Sequence, residues 1–160
     1  MSAAVLPSCG YSLVGRGSAL PPDVRTIGIP VFKNVTDQPD LEQLATREVK
    51  NRFIQDGRLD VAPVGSADSV LLGVVEAYRL QPMSYDSQNN VTSYLVTMYI
   101  SVKHQMRDGG RTLSQRTVST NEIYKVTSSV AGAEGERLNA LKKASATAAE
   151  SILSLVVESF

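Results

Sequence analysis

The sequence predicts an α+β two-layer sandwich, with two helices packed on one face of a mixed four- to five-stranded sheet. Three observations carry this. Residues 94–106 alternate apolar and polar side chains with a period of two, two other segments repeat apolar residues at helical spacing, and the elements run strand, helix, three or four strands, helix. A chain of 160 residues suits one such domain and is too short for two comfortable ones.

Residues 1–24 read as loop, with Gly15, Gly17 and Pro21-Pro22-Asp23 breaking any periodic run. Thr26-Ile27-Gly28-Ile29-Pro30-Val31-Phe32 follows as a short β run whose proline suits a strand end or an edge. Asp37 and Asp40 around Pro39 are expected to cap a helix, and Leu41, Leu44, Ala45, Val49 and Phe53 then recur at helical spacing until Gly57. Leu59 to Val64 reads as a short strand, and Val70 to Leu80, apolar on both faces at first, as a buried central one. In the stretch Tyr94 to Met106, residues Tyr94, Val96, Met98, Ile100, Val102 and Met106 share one face. Thr97, Ser101, Lys103, Gln105 and Arg107 share the other, wet face. Asp108-Gly109-Gly110 then turns the chain, and the polar Thr112 to Lys125 returns at or near a sheet edge. After a turn region over Ser128 to Gly135, the apolar stripe Leu138, Leu141, Ala144, Ala148, Ile152, Leu155 and Val156 predicts a final long helix.

Composition removes several function classes. Sixteen basic residues balance sixteen acidic ones, so no bulk charge marks a nucleic-acid binder or a polybasic membrane binder. One cysteine and one histidine can form neither an internal disulfide nor a Cys/His metal site, and no metal is expected. No run approaches the roughly 18 apolar residues of a spanning helix. His104 shares parity with Val102 and Met106 and reads as a satisfied, partly buried histidine without a role, since no dyad or triad can be assembled around it. Asp37, Asp40 and Glu42 are explained by helix capping. Gly15-Arg16-Gly17-Ser18 lacks the lysine and the preceding strand of a phosphate loop. No catalytic residue is assigned.

The hairpin offers a binding idea. With Gly109 and Gly110 as its two turn residues, Asp108 faces Arg111, and Lys103 falls opposite Arg116 with Arg107 near the tip. Opposed cations destabilise a strand pair unless an anion lies between them, and a phosphate would serve. The competing reading has the charges splay apart, screened by solvent.

Leu6-Pro7-Ser8-Cys9-Gly10 is similar to the processing site of bacterial lipoproteins, where the thiol is alkylated with diacylglycerol and the preceding peptide is removed. Residues 1–8 are then the remnant of a signal peptide whose charged and apolar regions lie upstream or have been trimmed, residues 9–24 a lipidated tether, and residues 25–160 one α+β domain. The context extends the match. Cys9-Gly10-Tyr11 and the stretch Leu20 to Asn34, with Thr26-Ile27-Gly28-Ile29-Pro30-Val31-Phe32-Lys33-Asn34 at its heart, resemble the opening of the lipopolysaccharide-assembly lipoprotein family (LptE-like). In order there follow Leu41-Glu42, Val49, Phe53 and Asp56-Gly57-Arg58; Ala67-Asp68, Leu72-Gly73 and Tyr78; Ser84-Tyr85-Asp86 and Val91 to Tyr94; Arg107-Asp108-Gly109-Gly110; and Asn121-Glu122-Ile123-Tyr124. The resemblance spans residues 9–158.

It implies no enzyme and no cofactor, but a lipoprotein anchored through acyl chains on Cys9 at the periplasmic face of the outer membrane. Such a protein plugs an LptD-type β-barrel and helps it deliver lipopolysaccharide to the cell surface. The candidate contacts for lipopolysaccharide phosphates are Lys103, Arg107, Arg111 and Arg116. The family's basic contacts near the loop joining the two central strands do not carry over, because Tyr85-Asp86-Ser87-Gln88-Asn89-Asn90 holds no lysine or arginine. A second resemblance, of Ile27 to Val64 to N-terminal domains of secretion-channel and TolB-like proteins, implies instead a periplasmic protein- or peptide-binding domain.

Overall fold

The computed structural model describes residues 20–126 and 130–158, so Cys9 and most of the tether lie outside the described residues. Pro30 organises the start of the fold. The run expected as one strand is two: β1 (Thr26–Gly28) and β2 (Lys33–Asn34), separated where the proline has no N–H to give a ladder. Both lie parallel to β4 (Ser69–Tyr85), Ile27 opposite Ser69 and Lys33 opposite Val74. With β3 (Asp60–Val61), β5 (Val91–Met106) and β6 (Thr112–Lys125), they make a six-stranded mixed sheet ordered β3-β1-β4-β5-β6, with β2 beside β4. The split at Pro30 accounts for the strand beyond the expected four to five. Asp68 pins the sheet's parallel end: its carboxylate accepts from the backbone N–H of Arg25 (3.1 Å) and Thr26 (2.9 Å) and from Thr26 Oγ1 (2.8 Å). Those bonds, the Thr26 hydroxyl first, hold it below the usual carboxylate range.

Helix α1 (Leu41–Asp56) ends as its sequence indicates. Gly57 takes φ 71° and its N–H returns to the Phe53 carbonyl at 3.1 Å. Its beginning differs from expectation, because Asp40 occupies the cap position at φ 64° without a side-chain hydrogen bond. Asn34 orders the approach instead. Its amide nitrogen donates to the Gln38 carbonyl (2.8 Å) and to Glu42 (2.9 Å), while its oxygen accepts from the Thr36 backbone (3.0 Å) and hydroxyl (2.8 Å).

Helix α2 (Val130–Val157) begins well before Leu138, through the stretch read as a turn. Side-chain contacts offset the local cost of its glycines: Arg137 grips Glu134 one turn back in the same helix (2.6 and 2.9 Å) and reaches across to Gln38 Oε1 ahead of α1 (2.9 Å). Leu138 is 52% exposed and leaves the predicted stripe, which otherwise holds, with Leu141, Ala144, Ala148, Ile152 and Val156 buried. Both helices lie on one face of the sheet. Ile27, Leu71, Val75, Val96, Met98 and Ile100 form the sheet side of that core, and Phe53 and Ile152 are among its largest helix residues.

Phe32 is the contact that decides the junction. A methyl group on Gly73 would sit 2.5 Å from its ring, so the glycine lets the ring lie flat on β4. The Phe32 N–H meanwhile donates to the buried Thr46 hydroxyl of α1 at 2.9 Å. Gly73→Ala is expected to lower the unfolding free energy by about 1–3 kcal/mol in a denaturant titration. Adding Phe32→Leu should recover part of that loss; an unaltered Gly73→Ala midpoint would contradict the packing argument.

Candidate functional site on the open sheet face

The alternation along β5 separates two environments. Its even-numbered residues Val96, Met98, Ile100, Val102 and His104 are buried under the helices, while Leu95, Tyr99, Ser101 and Lys103 on the other face are only partly covered. Across the sheet, β4 sets Leu72 opposite Lys103 and Val74 opposite Ser101, and β2 brings Lys33 beside Val74. The result is a groove of about 490 Å³ whose lining includes Pro30, Val31, Lys33, Leu72, Val74 and Lys103. Val31 is 60% and Leu72 40% exposed, so the groove is apolar between two ammonium groups. Further along the face, the Arg79 guanidinium lies over the Tyr99 ring, 5.6 Å from its centroid. Chemically this surface suits an anionic amphiphile: methyl groups to meet acyl carbon, and cations to meet phosphate.

The four cations singled out in the sequence do not converge. The turn spans four residues rather than two, with Met106 N–H bonded to the Arg111 carbonyl (2.8 Å) and Gly109 at φ 73°. A bulge follows, so that Gln105 faces Thr112 while His104 faces Ser114. The expected opposition of Lys103 and Arg116 is therefore corrected: Lys103 faces Gln115, and Arg116 faces Val102. Lys103 lines the open-face groove, whereas Arg116 lines a separate cavity of about 460 Å³ with Leu113, Ser151, Leu155 and Glu158, between β6 and α2. Arg107 donates to the Gly65 carbonyl at 3.4 Å, and Arg111 sits exposed beside the turn. Lys33 was missed by sequence reasoning. The signal was present, since Phe32 turned inward obliges Lys33 to face the other way.

His104 differs from its expectation too. It is 1% exposed, and neither ring nitrogen has a hydrogen-bond partner among the described residues. Burial pushes its pKa down to about 4, keeping it neutral. The β4–β5 turn is ordered by Asp86, which accepts from Gln88 N–H (2.8 Å), Asn90 N–H (2.9 Å) and the Asn90 amide (3.0 Å). Among the described residues no group of three His, Cys, Asp or Glu side chains could hold a metal ion.

The model of the lipopolysaccharide-assembly family LptE matches residues 24–156. Lipoprotein B from Nitrosomonas europaea has a similar fold, with a TM-score of 0.60 at 15% identity over 92% of this chain and 90% of that one. Rare lipoprotein B from Shewanella oneidensis gives 0.55 at 15% identity, over 79% and 91%. PelC from Paraburkholderia phytofirmans gives 0.55 at 17% identity, over 84% and 89%. At these identities the likeness is one of fold. No curated protein sequence matches the chain.

The buried imidazole makes a pH prediction. The unfolded chain binds its proton below the ordinary value of 6.5, whereas the folded one does so only near 4, so stability is full above 6.5 and falls as pH drops towards 4. At pH 5 the loss attributable to this group is about 2 kcal/mol. His104→Leu should therefore narrow the difference in unfolding free energy between pH 7 and pH 5 by that amount. An unchanged difference would mean that the side chain is solvated in the native state.

Proposed function

Because the chain belongs to the lipopolysaccharide-assembly family LptE, we propose that it works as an outer-membrane lipoprotein seated as a plug in an LptD-type β-barrel. The family is one of non-enzymatic envelope lipoproteins that assemble lipopolysaccharide without a cofactor. The family match over residues 24–156 carries the reading. Support also comes from the uncovered face: a large outer-membrane β-barrel encloses a polar lumen, and a sheet face of serine, threonine, lysine and scattered apolar groups can line it without a large greasy patch.

Cys9 is the proposed point of lipid attachment. One acyl chain holds a protein to a membrane only marginally, at about 0.8 kcal/mol per buried CH₂, whereas two or more hold it stably. Residues 10–24 would span some tens of ångströms at roughly 3.3 Å per extended residue, which is reach enough to enter a barrel from the periplasmic side. Lipopolysaccharide phosphate would meet Lys103 together with Lys33, the cation that shares its groove, rather than Arg107, Arg111 and Arg116. Within the stretch Ile27 to Val64, which resembles a peptide-binding domain, Asn34 orders the loop before α1 and Gly57 closes the helix.

Affinity purification of the chain from detergent-solubilised outer membranes should recover an LptD-type barrel; recovery of soluble periplasmic proteins alone would favour the peptide-binding alternative. Cys9→Ser should move the protein out of the membrane fraction, and an unaltered distribution would remove the lipid from the account. Reversing both groove lysines, Lys33→Glu with Lys103→Glu, should weaken retention of purified lipopolysaccharide by about a hundredfold, roughly tenfold for each charge-assisted contact, while Arg47→Glu on the exposed side of α1 should not. Equal effects of the two changes would place the contact elsewhere.

A further inference from the structure

The sheet ends on β6, and among the described residues no backbone group pairs with its outer edge. At 14 residues this is a long edge, and its ladder with β5 runs without a register shift from Lys125 back to Ser114. Sheets ordinarily blunt such an edge with prolines, bulges, short strands or charged side chains, and from Ser114 to Lys125 this one has only the charges Arg116, Glu122 and Lys125.

One bond tells which residues face outward. Val126 N–H donates to the Thr92 carbonyl at 3.0 Å, one step beyond the Ser93–Lys125 pair. In an antiparallel ladder the bonded positions alternate, so even-numbered residues of β6 bond to β5. Gln115, Thr117, Ser119, Asn121 and Ile123 therefore turn their N–H and C=O groups to the free edge. All five residues are exposed.

Charge selects the partner strand. Arg116 and Glu122 stand on β6 without an ion pair among the described residues, and they are symmetric about Ser119. Suppose a second β6 pairs antiparallel about a two-fold axis at Ser119. Arg116 of each copy then faces Glu122 of the other, Thr117 faces Asn121, and Gln115 faces Ile123. The two charge pairs fall at non-hydrogen-bonded positions, where opposed Cα atoms are about 4.5 Å apart and side chains meet most closely. Centring the axis on Val118 would set Arg116 against Thr120, and centring it on Thr120 would set Glu122 against Val118. Both pairs are lost in either case.

We propose that the β6 edge binds the β6 edge of a second copy of this chain, antiparallel and centred on Ser119, to give a two-fold dimer with one continuous sheet. Both open faces then lie on the same side of that sheet. Such a dimer is a state of the chain outside a barrel, so the inference does not rest on the barrel reading, and it is tested first on the purified chain.

In a Cys9→Ser background, Ser119→Cys should form an intermolecular disulfide on mild oxidation, because directly opposed residues lie about 5.5 Å apart, within disulfide reach. Lys125→Cys, which the register places opposite Leu113, should not. In sedimentation equilibrium, Arg116→Glu and Glu122→Arg should each raise the dimer dissociation constant by roughly tenfold, since each converts two attractive cross-strand pairs into repulsive ones. Combining them should restore it. A parent chain that stays monomeric at its highest soluble concentration would overturn the proposal, as would a double variant that dimerises no better than the singles. Cross-linking of Ser119→Cys to a barrel strand in membranes, with the purified chain monomeric, would assign the edge to that partner and likewise overturn it.

Discussion

The ring of Phe32 occupies the space that a side chain at position 73 would fill, and the architecture follows from that contact. Gly73 leaves β4 flat at this point, so Phe32 can seal the core while its N–H is held by Thr46 of α1. One residue thus joins the parallel edge of the sheet, the central strand and the first helix. It also fixes direction. Because Phe32 packs under the helices, the next residue, Lys33, opens onto the other side of the sheet. The aromatic anchor and the open-face cation are two consequences of one alternation.

The two faces of the sheet are chemically unlike. Beneath α1 and α2 burial holds His104 neutral, with no hydrogen-bond partner among the described residues. The small residues Ala140, Ala144, Ala148 and Ala149 let α2 lie close. The other face carries lysine, serine and threonine around Leu72, Val74 and Tyr99. Such a surface is too polar to be the inside of a core, yet it is apolar enough to gain from being covered. It suits contact with a polar lumen wall or an anionic lipid better than it suits chemistry, for which it offers no nucleophile paired with a base.

Much of this was legible in the sequence, because period-two and helical repeats depend on local geometry. The alternation of residues 94–106, the stop at Gly57 and the polar edge strand at 112–125 all reflect constraints that a short window contains. The failures share a different cause. The pairing of Lys103 with Gln115 depends on a bulge near Leu113 that nothing in the local residues announces, and a slip of one position moved Arg116 to the opposite face. The first turns of α2 contain Gly132 and Gly135 and read locally as a turn; a contact that ties this part of the helix to the rest of the fold joins Arg137 to Gln38, 99 residues away. Asp40 has the residue type of a helix cap, yet Asn34 and its partners had already fixed the loop. Of the candidate site, Lys103 was visible directly, whereas Lys33 was legible only through its alternation with Phe32, whose inward direction is confirmed by a glycine far along the chain.

The uncovered face of the sheet is the surface proposed to meet the partner. A photoreactive amino acid placed at Ser101, on that face, and in a parallel sample at Gln43, on the exposed side of α1, tests it directly in intact cell envelopes. Irradiation should join residue 101, and not residue 43, to a β-barrel membrane protein or to lipopolysaccharide. Adducts formed from residue 43 alone, or equally from both positions, would contradict it.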